Sequence, residues 1–210
     1  MAGLAVFDFD GTVIRGDSVV ALLLFARKRG ALSRRGLLRA ALAGAAYRIG
    51  CMDALTAKRK SHDFLAAMPA AERNRLLQDF ARSLAGRVYP PALRQIEVHR
   101  AAGDIVVLCS ASCQCYMRYV APLLLADVLL CTPSDAEGRT VGPNCCGEEK
   151  VCRLQDWMRE NGIPSDAPLT AYGDSRSDAP ILRMSQHPVL VNAKRGLRKA
   201  LPDAEKVVWN

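Results

Sequence analysis

In Asp8-Phe9-Asp10-Gly11-Thr12 two carboxylates stand two residues apart, directly after an apolar run. One of them can attack phosphorus while the other protonates the leaving oxygen and later activates water, so that one hard displacement becomes two easier ones. Taken alone, Asp-x-Asp is equally a solvated strand end or a metal-binding loop. Ser110, in Ser110-Ala111-Ser112, can offer its hydroxyl and the following backbone N–H groups to phosphate oxygens, although a serine there is by itself an ordinary turn residue or helix cap. Lys150 reads in isolation as a surface helix lysine. Gly173-Asp174-Ser175-Arg176-Ser177-Asp178 brings two more acids, suited to an oxygen-liganded magnesium ion or, more plainly, to capping the next helix.

Such groups act together only if the chain gathers them. Leu4-Ala5-Val6-Phe7 reads as a buried parallel strand that ends at the first acids. Similar apolar runs at 104–109, 168–172 and 188–192 end at Ser110, at Gly173-Asp174 and at Asn192. Helical patterns at 91–102 and 147–161 lie between them. Strands alternating with helices predict a doubly wound parallel sheet, a Rossmann-like α/β core whose ligand site lies beyond the strand carboxyl ends. Residues 18–84 differ: rich in Ala, Leu and Arg, poor in strand signals and broken by Gly30, Gly36, Gly44, Gly50 and Pro69, they predict an inserted helical domain.

In this order the four clusters resemble the signature motifs of the haloacid dehalogenase superfamily: DxDGT, a strand-terminal serine, a lysine and GDxxxD. The stretch Gly142-Pro143-Asn144-Cys145-Cys146-Gly147-Glu148-Glu149-Lys150 is similar to subfamily IB, the group that includes phosphoserine phosphatase and phosphatidylglycerophosphatase C. The resemblance implies a catalytic core at 1–14 and 85–210 and a helical cap at 15–84. It implies Asp8 as nucleophile, Asp10 as general acid and base, and Ser110 and Lys150 as catalytic phosphate holders, with Gly11, Thr12 and Ala111 also at the phosphate. Magnesium would be held by Asp8, Asp174 and the Asp10 carbonyl, with Asp178 orienting the site from behind. Phosphoserine phosphatases usually carry serine where this chain has Gly11 and asparagine where it has Ser177. Asp17 falls where they read a substrate amine with glutamate, and Arg59 roughly where an arginine reads the substrate carboxylate, so both are expected to face the pocket and set specificity.

The implied substrate is a small phosphorylated metabolite such as phosphoserine or a related amino-alcohol phosphate. A lipid phosphate is the alternative, because Leu37-Leu38-Arg39-Ala40-Ala41-Leu42 and Ala45-Ala46-Tyr47-Arg48 set an apolar stripe beside arginine that could rest on an anionic membrane, though cap helices need apolar faces simply to pack. A non-catalytic scaffold would be expected to have lost a signature carboxylate, and none is lost. The net charge of +8 belongs to one segment: residues 15–83 hold 14 Lys+Arg against 5 Asp+Glu. Without stacking aromatics or a recognisable motif this basicity suits an anionic substrate or membrane surface, not nucleic acid. No apolar run reaches the roughly 18–20 residues of a membrane span, and Met1-Ala2-Gly3-Leu4 has no leader-like start, so a cytoplasmic protein is expected. Its 8 cysteines then read as reduced thiols. Cys113-x-Cys115, Cys145-Cys146 and Cys152 lack a second pair at zinc-ribbon spacing, and no zinc is expected. Oligomeric state is not encoded in any of these features.

Overall fold

Residues 3–210 are described by a computed structural model, and Met1 and Ala2, on which part of the leader expectation rests, lie outside the described residues. The strand expected first, β1 (Leu4–Phe7), is buried at every residue. Five more follow: β2 (Ile105–Cys113), β3 (Val128–Thr132), β4 (Leu169–Gly173), β5 (His187–Val191) and β6 (Glu205–Val207). They form one sheet in the order β3-β2-β1-β4-β5-β6, with every neighbouring pair parallel. β1 lies between β2 (Leu4↔Ile105 to Phe7↔Leu108) and β4 (Leu4↔Leu169 to Phe7↔Tyr172). The expected doubly wound α/β core is therefore present.

Two strands escaped the sequence reading. β3, Val-Leu-Leu-Cys-Thr, follows Leu123, Leu124 and Leu125 so closely that no boundary announces it, and β6 is short and faces solvent at Glu205 and Lys206. β2 is also longer than expected. It runs through Ser110 to Cys113 with a register shift between these residues, so the serine sits in an irregular strand segment and not at its end.

Between β1 and β2 come α1 (Ser18–Lys28), α2 (Arg34–Arg48), α3 (Ala54–Ala66), α4 (Ala70–Ser83) and α5 (Pro90–Ala101). Asp17, Ser33 and Asp53 cap the first three by accepting from the N–H groups of Val20, Gly36 and Thr56. Later come α6 (Gln114–Leu123), α7 (Glu148–Glu160), α8 (Ala179–Met184) and α9 (Arg195–Ala200). Successive strand residues point to opposite faces. Ala5 and Phe7 therefore join Ile96 of α5 and Met117 of α6 in one core, and Leu4 and Val6 join Leu154 of α7, Leu182 of α8 and Leu197 of α9 in the other. Helices on both faces explain why the central strands are apolar throughout.

The chain leaves and re-enters the core side by side: the Arg15 N–H donates to the Arg87 carbonyl at 2.8 Å, and the Tyr89 N–H donates to that of Val13 at 2.9 Å. The helices between these crossings are unequal. α1 and α4 bury Leu22, Ala26, Leu77 and Phe80 in the same core as Tyr116 of α6, whereas α2 fully buries only Ala40 and Ala43. Among the described residues no helix is long and apolar enough to cross a membrane.

Candidate active site

Asp8 follows β1 directly, where the strand ends and its carboxylate turns into a cavity of about 970 Å³ between the strand ends and the inserted helices. Asp10, Ser110, Lys150 and Asp174 line the same cavity. Lys150 is 1% exposed, and its ammonium donates to Asp8 Oδ1 at 2.6 Å and to Asp178 Oδ1 at 2.7 Å. Burial alone would lower the lysine pKa, but these two carboxylates raise it well above its ordinary range and keep it charged. Asp8 is pushed up to about 8 by burial and by the Asp178 charge, with Lys150 opposing. Burial acts on Asp178 in the same direction, yet Lys150 and the hydrogen bonds from Ser175 hold that carboxyl below the usual range.

Asp10 is held differently. Its Oδ1 accepts from the Ser18 N–H at 2.7 Å, and its Oδ2 accepts from the hydroxyls of Ser18 at 3.0 Å and Ser112 at 2.7 Å. Burial raises its pKa to about 6 while those hydroxyl bonds restrain the rise. The Tyr116 hydroxyl, 2.8 Å from Ser18 Oγ, extends this network to α6. A carboxyl poised near 6 and fixed at both oxygens suits proton transfer in either direction.

Asp174 directly follows β4, and its Oδ2 lies 2.6 Å from the ammonium of Lys194, a side chain 68% exposed and free to swing away. Burial raises the Asp174 pKa against that lysine. Ligand oxygens of Asp8, Asp174 and Asp178 lie within 4.8 Å of one another. Hard carboxylate oxygens crowded in a buried site, two of them raised in pKa, fit a divalent cation such as magnesium. Asp8 and Asp174 line the cavity and Asp178 does not, which makes those two the ligands of choice. Gly11 makes room for this approach: at φ +84° it lies so close that a Cβ would come within 2.5 Å of Asp174 Oδ2.

Other expectations are corrected. The Gly11 and Thr12 N–H groups, expected at the phosphate, donate to the carbonyls of Ile14 and Phe9 within the turn, and neither residue lines the cavity. The Thr12 hydroxyl instead donates to Asp8 Oδ2 at 3.2 Å. Ser110 Oγ accepts from the Ser112 N–H at 3.0 Å and retains its own proton to donate. Ala111 lines the cavity, and its carbonyl accepts from Lys58 and Thr132. Asp17 stands at the mouth of the cavity as the cap of α1. Arg59 does not face the pocket; it is exposed, and its Nε donates to the Thr140 carbonyl at 3.0 Å.

Its neighbour Lys58 lines the cavity instead, bonded to the Ala111 carbonyl and the Asn144 side chain, with its pKa lowered by burial. One residue along a helix is a turn of about 100°, which is why the right basic run pointed to the wrong member. Ser18, Ser112, Tyr116, Asn144 and Lys194 were also missed as site residues. Lys58 in the Lys58-Arg59-Lys60 run, Ser112 beside Ser110 and Asn144 in the stretch before Lys150 carried a sequence signal, and the others did not.

A histidinol-phosphatase of Neisseria meningitidis serogroup C (strain 8013) is 30% identical over an alignment covering 100% of this chain and 97% of that protein. A Bordetella pertussis Tohama I protein of unknown function superposes with a TM-score of 0.90 at 25% identity, covering 99% of this chain and 98% of the other. A probable phosphoserine phosphatase from Vibrio cholerae shares the fold, with a TM-score of 0.75 at 16% identity over 99% of this chain and 60% of its own. The sequence profile of the haloacid dehalogenase-like hydrolases matches residues 5–183, and with the strand-end acids placed as described the chain is an enzyme that belongs to this family.

Proposed function

We propose that this chain is a phosphomonoesterase of the subfamily IB type that works through a phosphoenzyme on Asp8. The observation that carries the reading is the buried Lys150 bridging Asp8 and Asp178, with Asp10 held apart by Ser18 and Ser112. An Asp8 oxygen attacks phosphorus, the bond from phosphorus to the substrate oxygen breaks, and Asp10 gives its proton to the departing alcohol. Asp10 then takes a proton from water, whose oxygen attacks phosphorus as the Asp8–phosphorus bond breaks and phosphate leaves. Lys150 and Ser110 hold phosphate oxygens. Asp8, Asp174 and the Asp10 carbonyl would hold magnesium, which when bound would supply charge compensation between the anionic nucleophile and the anionic substrate.

The substrate we favour is a small amino-alcohol phosphate. Asp17 at the mouth of the cavity supplies a carboxylate for an amine, and the Neisseria relative is named for the phosphate of an amino alcohol. Helices 15–84 act as a cap that excludes water, and the cytoplasm is the compartment that suits reduced cysteines. A lipid phosphate is the second reading, favoured by the apolar wall that Val20, Leu24, Leu37 and Ile49 add to the cavity and by Arg39 and Arg48 on α2. Rates on histidinol phosphate, phosphoserine, a lysophosphatidate and p-nitrophenyl phosphate, with and without chelator, separate these cases. Preference for an amine-bearing ester that Asp17→Ala removes supports the first; preference for the lipid, with salt-sensitive binding to anionic vesicles, supports the second. Absence of magnesium-dependent phosphate release from all four overturns both.

A further inference from the structure

His62 of α3 is wholly buried, and its Nε2 is the one buried side-chain nitrogen or oxygen without a hydrogen-bond partner among the described residues. Its Nδ1 lies 2.8 Å from the Lys58 carbonyl. A carbonyl only accepts, so Nδ1 carries the proton and Nε2 presents a bare lone pair. Leaving such an atom unpaired destabilises the fold, and the surroundings offer it sulfur. Cys113, which ends β2, and Cys115, in the first turn of α6, are buried, and their Sγ atoms and a His62 ring nitrogen all lie within 4.8 Å of one another.

We propose that His62, Cys113 and Cys115 form a structural zinc site that fastens α3 to the β2–α6 junction. Nitrogen and sulfur ligands at about 2.0–2.3 Å from a tetrahedral ion stand less than about 4 Å apart, so atoms already within 4.8 Å of one another need only small side-chain movements to close on it. Zinc with two thiolates and a neutral imidazole carries no net charge, so the buried site needs no further counter-ion. Binding releases the two thiol protons to solvent and changes no oxidation state. The surroundings are those of a metal-bound histidine: the other ring N–H is tied to a backbone carbonyl, which fixes the tautomer. Thr140 Oγ1 donates to Cys113 Sγ at 3.8 Å, a hydrogen bond that steadies the sulfur. Spacing along the chain concealed the site, because the third ligand comes from the inserted helices, far before Cys113 in sequence.

The clamp would reach the catalytic cavity without entering it. The Lys58 carbonyl that orients His62 belongs to the residue whose ammonium lines the cavity, and the Tyr116 ring stacked 6.1 Å from His62 carries the hydroxyl bonded to Ser18. Zinc would thus set the position of the α3 turn that presents Lys58.

The whole chain, reduced and stripped with chelator, is titrated with cobalt(II) and then zinc in excess magnesium, which saturates the oxygen-lined site. A thiolate-to-cobalt charge-transfer band that zinc abolishes, with about one equivalent of zinc retained after desalting, is the expected result. Cys113→Ser and Cys115→Ser should each remove the band, His62→Ala should weaken zinc by more than about tenfold, and Cys152→Ser, on the exposed face of α7, should leave it intact. No charge-transfer band in the parent protein overturns the proposal and needs no variant. So does a band that survives in Cys113→Ser and Cys115→Ser.

Discussion

The floor and the roof of the cavity are made from opposite materials. On the floor Asp8, Lys150, Asp174 and Asp178 are buried, and ion pairs with Lys150 and Lys194 tie them together. On the roof Leu24 is 52%, Tyr47 50% and Ile49 76% exposed, and none of these side chains is locked by a core. A reaction centre has to hold its groups within a fraction of an ångström, whereas a surface that admits and releases ligands is drawn from the less stable end of the fold. The floor hangs from the central strands, and the roof hangs largely from α2, which buries little of itself.

The comparison is tested hardest at Asp8. Asp8→Asn keeps the size of the side chain and removes the nucleophile, so turnover should fall by several orders of magnitude while the thermal transition is retained. Steady-state kinetics on p-nitrophenyl phosphate check it, and appreciable residual turnover in a sequence-verified preparation would refute the floor as the reaction centre. Lys150→Met attacks the same floor through stability. It leaves Asp8 and Asp178 buried without their shared cation, a loss of about 3–5 kcal/mol in denaturant unfolding without magnesium.

A gentler lever is pH. Burial pushes the Asp10 and Asp8 carboxyls up to about 6 and about 8 from an ordinary value of 3.8. A raised carboxyl contributes stability that is full below its unfolded value and lost as pH rises through its folded one. Without magnesium these two groups should therefore cost stability progressively from about pH 4 to above pH 8, while Asp178, held low by Lys150, works the other way only at acid pH. A cation offsets the ionised carboxylates. The rise in melting temperature on adding magnesium should accordingly be larger at pH 8.5 than at pH 5.5, and equal rises at both would argue against Asp8 as a ligand.

The sheet and the floor were legible because both are written locally. Apolar runs close on Asp8, Ser110 and Asp174, and a parallel sheet puts strand carboxyl ends together whatever lies between. The roof was not, because its contacts join distant segments: Ser18 and Ser112 meet on Asp10, and Lys58 meets Asn144. β3 is hidden by the leucines before it, and a basic run read from composition carries no helical phase, so it points to Arg59 as readily as to Lys58.

Lys58 and Arg59 therefore give the finest test, one in which adjacent cations should behave differently. Lys58 lines the cavity, and loss of its charge should weaken an anionic substrate by the value of a charged hydrogen bond, raising KM about tenfold with little change in kcat. Arg59 is exposed and bonds the Thr140 carbonyl, so Arg59→Ala should leave KM unchanged and alter stability by no more than about 0.5 kcal/mol. Leu24→Ser on the roof should likewise spare p-nitrophenyl phosphate, and should raise KM only for a substrate with an apolar tail. Parallel kinetics on the three variants decide the matter. A raised KM in Arg59→Ala with none in Lys58→Ala would mean that α3 turns its other face to the substrate during turnover, and the roof described here would then have to be rebuilt around Arg59.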